Sequence, residues 1–403
     1  MKTVSIVCEY NPFHRGHKYQ LKKIKEDFGE DVCIVAVMSG NYTQRGDFAI
    51  VDKFTRAKIA VMEGASLVLE LPFPFSMQSA EFFASSAVKI ITDAVNSDVI
   101  SFGSECGDAE ALRRVSLNMA SDEYLSVFQA LSEKDKSAGH PALCQMAYAM
   151  AFGDTKDAKI LDEPNNLLGV EYIKALHSAK KETEIHTFKR MYASHNDNAP
   201  ATDEYASASA IRELFYHKDI EKALSLLPNF SAQICEHSYS TGSMPTDSNR
   251  LSNAVLAFLR INPPAHDTAD SVGGIEHRLR SCALKAKDMD ELITLVSTKR
   301  YTNARIRRAI WNSYFGITSS DVRQLPCYTQ VLAMDERGRK KLKEMKKSST
   351  ISILTKPADY VFLPSDAKSQ AEASNRADLI FSLTKPTFSS GAEFLRSTPY
   401  CKK

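Results

Sequence analysis

An α/β fold, a parallel sheet wrapped by helices and followed by a largely helical second half, is what this 403-residue sequence predicts. Short apolar runs rich in β-branched residues alternate with segments of helical period near the start of the chain. The runs are nearly continuous in hydrophobicity, as strands buried on both faces must be. Beyond about residue 230 the chain begins helical, which places a second domain there.

In chain order, Val4 to Cys8 is the first strand, and Asn11 to His17 is a turn leading into a helix from Lys18 to Phe28. Val32 to Met38 reads as a strand, Val51 to Glu63 as a helix, Ser66 to Leu71 as a strand, Met77 to Thr92 as a helix and Asp98 to Phe102 as a strand. Right-handed crossovers between such strands make a doubly covered sheet, and ligands then belong at the carboxyl ends of the strands. Asp108 to Ala179 is helical, most clearly at Pro141 to Phe152 and Asn165 to Lys180. Glu184 to Phe188 adds a strand and Ser207 to His217 a helix, with a loop at Asp197 to Asp203 around Pro200. These complete a first domain over 1–230. The domain over 231–403 is mostly helical, with helices at Ser252 to Ile261, Asp288 to Ser297 and Ala304 to Tyr314, and strands at Thr350 to Leu354 and Leu379 to Leu383. No internal repeat or low-complexity segment is visible.

Composition narrows the class. With 51 Lys plus Arg against 49 Asp plus Glu and 43% hydrophobic residues, the chain is neither disordered nor fibrous. No apolar run approaches the ~20 residues of a membrane span, and Met1 to Val7 leads straight into a strand, so a cytoplasmic protein without membrane contact is expected. The eight cysteines lie far apart without paired spacing, which points to reduced thiols and no metal site. Charge is uneven: Lys299 to Lys347 holds 13 Lys or Arg and 4 Asp or Glu, which leaves the rest of the chain net acidic. That is the footprint of a polyanion binder or, equally, a solvated helix face.

The strongest local signal is His14-Arg15-Gly16-His17, directly after the first strand and opening the first helix. A helix N-terminus offers unpaired N–H groups, Gly16 lets a nucleotide approach the backbone, and the two imidazoles can donate to phosphate oxygens. A chance pattern and a zinc pair are the other readings, and zinc lacks further ligands at sensible spacing. A second signal is Tyr205 to Arg212, where Ser207 and Ser209 open a helix and Arg212 can fork onto a phosphate. Glu70 and Glu105 at strand ends could orient a substrate or a magnesium-bound water.

Together the motifs resemble the nucleotidylyltransferase superfamily of Rossmann-like folds. More closely, Glu9 to His17, Val37 to Gly46, Leu69 to Pro72, Phe102 to Glu105, Pro164 to Gly169, Lys189-Arg190 and Lys299 to Arg308 resemble the bacterial tRNA(Met) cytidine acetate ligases. The resemblance implies an enzyme that uses ATP, with Mg2+, to activate acetate as acetyl-adenylate. The acetyl group then passes to N4 of the wobble cytidine of elongator tRNA(Met), giving N4-acetylcytidine.

Carried over by motif, Val7, Cys8, Glu9, Tyr10, Asn11, Pro12, Phe13, His14, Arg15, Gly16, His17, Lys18, Tyr19 and Gln20 would cradle ATP, with His14 and His17 acting catalytically on its phosphates. Gly103, Asn165, Arg190, Ser209 and Arg212 would complete the nucleotide site. Lys299, Arg300, Arg305, Arg307 and Arg308 would hold tRNA, with Tyr301 and Trp311 as stacking or core residues. Lys53 and Arg56 could reach phosphate or tRNA, or simply be exposed helix cations. No stable protein partner is implied. The rival reading is a small-molecule nucleotidylyltransferase that moves AMP or CMP to a phosphorylated metabolite and has no use for the basic segment. A tRNA-binding protein with a vestigial nucleotide site is a third, disfavoured by the intact His14, Gly16 and His17.

Overall fold

The computed structural model describes residues 1–403 except 135–138, 154, 191–205, 263, 272, 389, 392–398 and 403. Five strands, β1 (Thr3–Cys8), β2 (Cys33–Ser39), β3 (Leu67–Leu71), β4 (Val99–Ser104) and β5 (Glu184–Lys189), run parallel in the order β5-β4-β1-β2-β3. Helices α1 (Arg15–Phe28) and α2 (Lys53–Glu63) link β1 to β2 and β2 to β3. Helix α3 (Ala80–Ile90) continues through a π-helical turn into β4. Between β4 and β5 lie α4 (Ala109–Met119), α5 (Asp122–Lys134), α6 (His140–Phe152), α7 (Thr155–Ile160) and α8 (Pro164–Ser178). After β5 come α9 (Ala208–Tyr216), α10 (Ile220–Ser225) and α11 (Asn229–Ser240), then the helical body of α12 (Ser252–Ile261), α13 (Ile275–Ala283), α14 (Met289–Val296), α15 (Asn303–Phe315) and α16 (Ser319–Arg323).

The sheet does not end in the first half of the chain. Strand β6 (Tyr328–Met334) pairs antiparallel with β3. After α17 (Glu336–Ser348), β7 (Ser352–Leu354) pairs with β6, and after α18 (Ser365–Ser382), β8 (Tyr400–Cys401) does the same. The strand expected at Leu379 to Leu383 is instead the end of α18, because Ala367, Ala371, Ala377 and Phe381 recur at helical spacing and bury one face. The expected Thr350 to Leu354 strand is present as β7, while β6 was not anticipated. The loop expected at Asp197 to Asp203, like Tyr205, lies outside the described residues.

Period-two alternation sorts the side chains of the strands. Val35, Val37, Leu69 and Leu71 enter one core, on the α3 and α8 face, and Ile34, Ala36, Met38 and Val68 enter another, on the α1 and α2 face. A third core fills the helical body, and Tyr42, Phe48, Phe73 and Met77 from the first half of the chain are embedded in it. The basic run is divided by β6: α15 packs in this third core, whereas α17 lays Leu342 and Met345 on the first. All eight cysteines are free thiols. Among the described residues no helix is long and apolar enough to cross a membrane.

Candidate active site

The chain leaves β1 toward β2 on one side and leaves β4 toward β5 on the other, so the crevice at the carboxyl ends of β1 and β4 is the switch point of the sheet. His14 stands there as the N-cap of α1. Its Nδ1 accepts the N–H of Gly16 at 3.0 Å, and the N–H of His14 is donated to His17 Nδ1 at 3.2 Å. This reciprocal capping has a chemical result. With both Nδ1 atoms accepting, each neutral ring carries its proton on Nε2, so each presents an N–H donor.

The two rings stack with centroids 3.8 Å apart, and Tyr10 and Phe13 flank His17 at 4.8 and 5.5 Å. Burial, then the cations of Arg190 and Arg212, push the His14 imidazole down to about 3. Burial, His14 and Arg190 hold His17 well below the ordinary imidazole range. Both rings are therefore neutral in the ligand-free protein. A Cβ on Gly16 would stand 2.8 Å from His14 Cε1, so the glycine keeps the cap ring in place.

Around this pair the fold gathers several of the expected residues. Arg212 reaches back from α9 to donate to the Asn11 carbonyl at 2.8 Å and to Ser209 Oγ at 3.3 Å. Asn11 is itself pinned, its Oδ1 accepting the N–H of Ile50 at 2.7 Å. Gly103, near the end of β4, lies against Arg190, whose Cγ would be 3.1 Å from an added Cβ. Glu105 caps α8: its oxygens accept the side-chain and backbone N–H groups of Asn165 at 2.5 and 3.3 Å and the N–H of Asn166 at 2.8 Å. Glu9 accepts the N–H of Gln44 at 2.8 Å, and burial raises its carboxyl above the usual range.

Other residues of the 7–20 stretch face elsewhere. Cys8, Pro12 and Phe13 are buried, Val7 packs on the core, and burial pushes the Cys8 thiol far up. Arg15 donates to Ser225 O, Lys18 pairs with Glu63 at 2.9 Å, Tyr19 packs edge-on to Phe188, and Gln20 donates to Ser101 O.

Lys53 and Arg56 are fully buried rather than exposed helix cations. Arg56 gathers the carbonyls of Glu9, Ser39, Gly40 and Val51 where the strands end. Lys53 bonds both oxygens of Glu70, at 2.8 and 2.9 Å, and Asp378 of α18 at 2.7 Å, and Asn41 joins them by donating to Asp378. Burial opposes the charge on Lys53, but the two carboxylates outweigh it and raise the ammonium. Asn41 lies in the Val37 to Gly46 motif without a role having been assigned to it, and Asp378, for which no local pattern exists, was missed.

Of the cations expected on tRNA, Lys299 is exposed and Arg300 half-buried over the ring of Tyr301. Arg308 is gripped by Asp270 at 2.8 and 3.1 Å, Arg307 pairs with Asp47 at 3.0 Å, and Arg305 donates to the Asp270 carbonyl. Trp311 is core, and Tyr301 is buried with its hydroxyl on the Gly273 carbonyl.

Among the described residues no group of three or more His, Cys, Asp or Glu side chains could hold a metal ion. A cavity of about 200 Å³ opens between Gln44, Ala80, Pro164 and Leu168, next to the capped start of α8. A larger cavity of about 580 Å³, between α4, α8 and the start of β5, is at the opposite end of the strands.

Residues 1–393 match the family described as HIGH nucleotidyl transferase. The tRNA(Met) cytidine acetate ligase of Caldanaerobacter subterraneus subsp. tengcongensis is 35% identical over 365 residues, covering 89% of this chain and 90% of its own. That of Clostridium perfringens (strain ATCC 13124) is 33% identical and covers 98% of this chain and 99% of its own. The crystal structure of Thermotoga maritima TmcAL bound with alpha-thio ATP superposes with a TM-score of 0.92 at 30% identity, over 100% of both chains. The apo form of the same protein gives a TM-score of 0.93 at 30% identity, again over 100% of both chains.

Proposed function

The chain belongs to the HIGH nucleotidyl transferase family and, within it, to the tRNA(Met) cytidine acetate ligases, and from that premise we propose that it makes acetyl-adenylate from ATP and acetate and acetylates N4 of the wobble cytidine of elongator tRNA(Met). The observation that supports the reading is the reciprocal His14–His17 cap at the switch point, which leaves an Nε2–H donor on each neutral ring for a phosphate bound there.

In the first step an acetate oxygen forms a bond to the α-phosphorus and the bond to pyrophosphate breaks. Charge grows on the phosphoryl oxygens, and the two imidazoles donate to it without having to release a proton. Arg212 and Arg190 would hold the remaining phosphates, and a magnesium ion bound to the triphosphate would neutralise part of its charge. In the second step N4 attacks the acetyl carbonyl, a C–N bond forms, AMP departs and the amine loses one proton. Adenylation supplies the leaving group that free acetate lacks, and the site contributes mainly position and charge stabilisation.

For the tRNA we favour the exposed cations over the tied arginines: Lys299, and Arg339, Lys340, Lys343, Lys346 and Lys347 on α17. The relatives support acetate ligation and lend nothing to AMP or CMP transfer onto a phosphorylated metabolite. The test is direct. The protein is incubated with ATP, labelled acetate and bulk bacterial tRNA, and the tRNA is digested to nucleosides. Label is expected in N4-acetylcytidine, and unlabelled nucleosides would refute the proposal.

A further inference from the structure

Arg307 and Arg308 are engaged by Asp47, the Gln44 carbonyl and Asp270, two of them in the loop that joins β2 to α2. The loop that joins β2 to α2 folds on itself: Tyr42 bridges Phe48, Thr43 N–H and Oγ1 both bond the Asp47 carbonyl, and Gly46 N–H bonds Thr43 O. Its tip is pressed onto α15. Gly46 sits at φ +78°, and an added Cβ would stand 2.7 Å from Arg307 Cβ and 2.8 Å from Arg308 N. No side chain fits there, and few would accept that backbone angle.

The guanidinium groups then fasten the loop. Arg307 Nε lies 3.0 Å from Asp47 Oδ1, and Arg308 donates at 3.4 Å to the Gln44 carbonyl while Asp270 holds it in a two-pronged pair. The rings of Tyr42 and Phe48 anchor the base of the loop against Trp311 at 6.1 and 5.0 Å. On its far side the same loop touches the nucleotide cradle, since Gln44 N–H donates to Glu9 Oε1 at 2.8 Å. Glu9 leads directly into Tyr10, whose ring packs on His17.

We propose that Arg307 and Arg308 are positioning residues for adenylation, holding the 41–48 loop so that Glu9 and the His14–His17 pair keep their places. The proposal rests on the adenylation reading above. It gives these arginines a task that is complete without tRNA, and their side chains are only 30% and 11% exposed. A phosphate could recruit them only by first breaking pairs already made.

The test uses full-length Arg308→Met, Arg307→Met and, from the loop side, Gly46→Ala. Acetate-dependent exchange of pyrophosphate into ATP is measured without tRNA, with KM and kcat resolved. ATP affinity is measured separately by calorimetry, and tRNA affinity as a function of salt. Displacing the loop should raise the KM for ATP or acetate and weaken ATP binding by about 10-fold or more, while the salt slope of tRNA binding stays that of the wild type. Arg308→Lys keeps the charge but not the fork, so it should recover only part of the loss.

Two results would overturn the proposal. One is wild-type exchange and ATP affinity in all three variants with a flattened salt slope, which would make the arginines RNA contacts. The other is a fall in kcat alone, with KM and ATP affinity unchanged, which would mean a smaller folded fraction. If the wild type itself shows no acetate-dependent exchange, the adenylation reading fails, and the ATP affinities still decide whether the arginines hold the loop.

Discussion

His14 has two tasks that one substitution can separate. Its Nδ1 caps α1, and in the proposed adenylation its Nε2–H is the donor to phosphate. Asparagine caps a helix about as well as any residue, so His14→Asn keeps the cap while its short amide leaves no donor at the position of Nε2, whereas His14→Ala removes cap and donor alike. A lost cap costs about 1 kcal/mol, and a lost donor to a developing oxyanion costs roughly 2.7–4 kcal/mol, or about 10² to 10³ in kcat. His14→Asn should therefore unfold in urea close to the wild type while its pyrophosphate exchange at saturating ATP falls by that factor. His14→Ala should lose the same activity and, in addition, about 1 kcal/mol of stability. Exchange by His14→Asn within about threefold of the wild type would refute the donor role, because a tenfold change is only about 1.4 kcal/mol.

Three further outcomes are expected. Lys53→Met leaves Glu70 and Asp378 buried without their cation and should cost about 3–5 kcal/mol in urea unfolding; adding Glu70→Gln and Asp378→Asn should restore part of it, and a cost below about 1 kcal/mol would show that the trio is not a charged unit. Because the folded value of His14 lies at about 3 against 6.5 for a free imidazole, the unfolded chain binds more protons between those limits, so stability falls as pH falls through that window. His14→Asn should show a shallower decline there in ligand-free protein, and an equal decline would mean that the ring protonates in the fold. Replacing Arg339, Lys343 and Lys346 with Gln should weaken tRNA binding and flatten its log–log salt slope by about 0.7 to 0.9 for each phosphate no longer neutralised, and an unchanged slope would exclude this face of α17.

What was legible in the sequence was local. The strands of the first half, the turn at Asn11 to His17 and the Ser-rich start of α9 each declare themselves within one or two turns of chain, through β-branched runs, capping chemistry and a glycine where backbone must stay open. Charge alone leaves open what burial decides. The pairs that Arg307 and Arg308 make with Asp47 and Asp270, far away in sequence, have no local signal. Asp378 could not be paired with Lys53 for the same reason, and β6 was hidden because a seven-residue strand between two helices carries no signal of which sheet it will join.

That late strand bears on how the protein is made. While a ribosome is still extending the chain, β3 is complete at Leu71 but its neighbour does not begin until Tyr328. During the interval β3 has an edge of unpaired amide and carbonyl groups, Glu70 O waits for the hydroxyl of Thr329, and Lys53 lacks the Asp378 that completes its trio. Open edges of this kind are where nascent chains pair with one another. Most of the proposed nucleotide cradle is thus synthesised early, yet it sits on a scaffold that closes only when nearly the whole polypeptide has emerged, so a fragment released before β6 should reach the cell as a client of chaperones rather than as a small working domain.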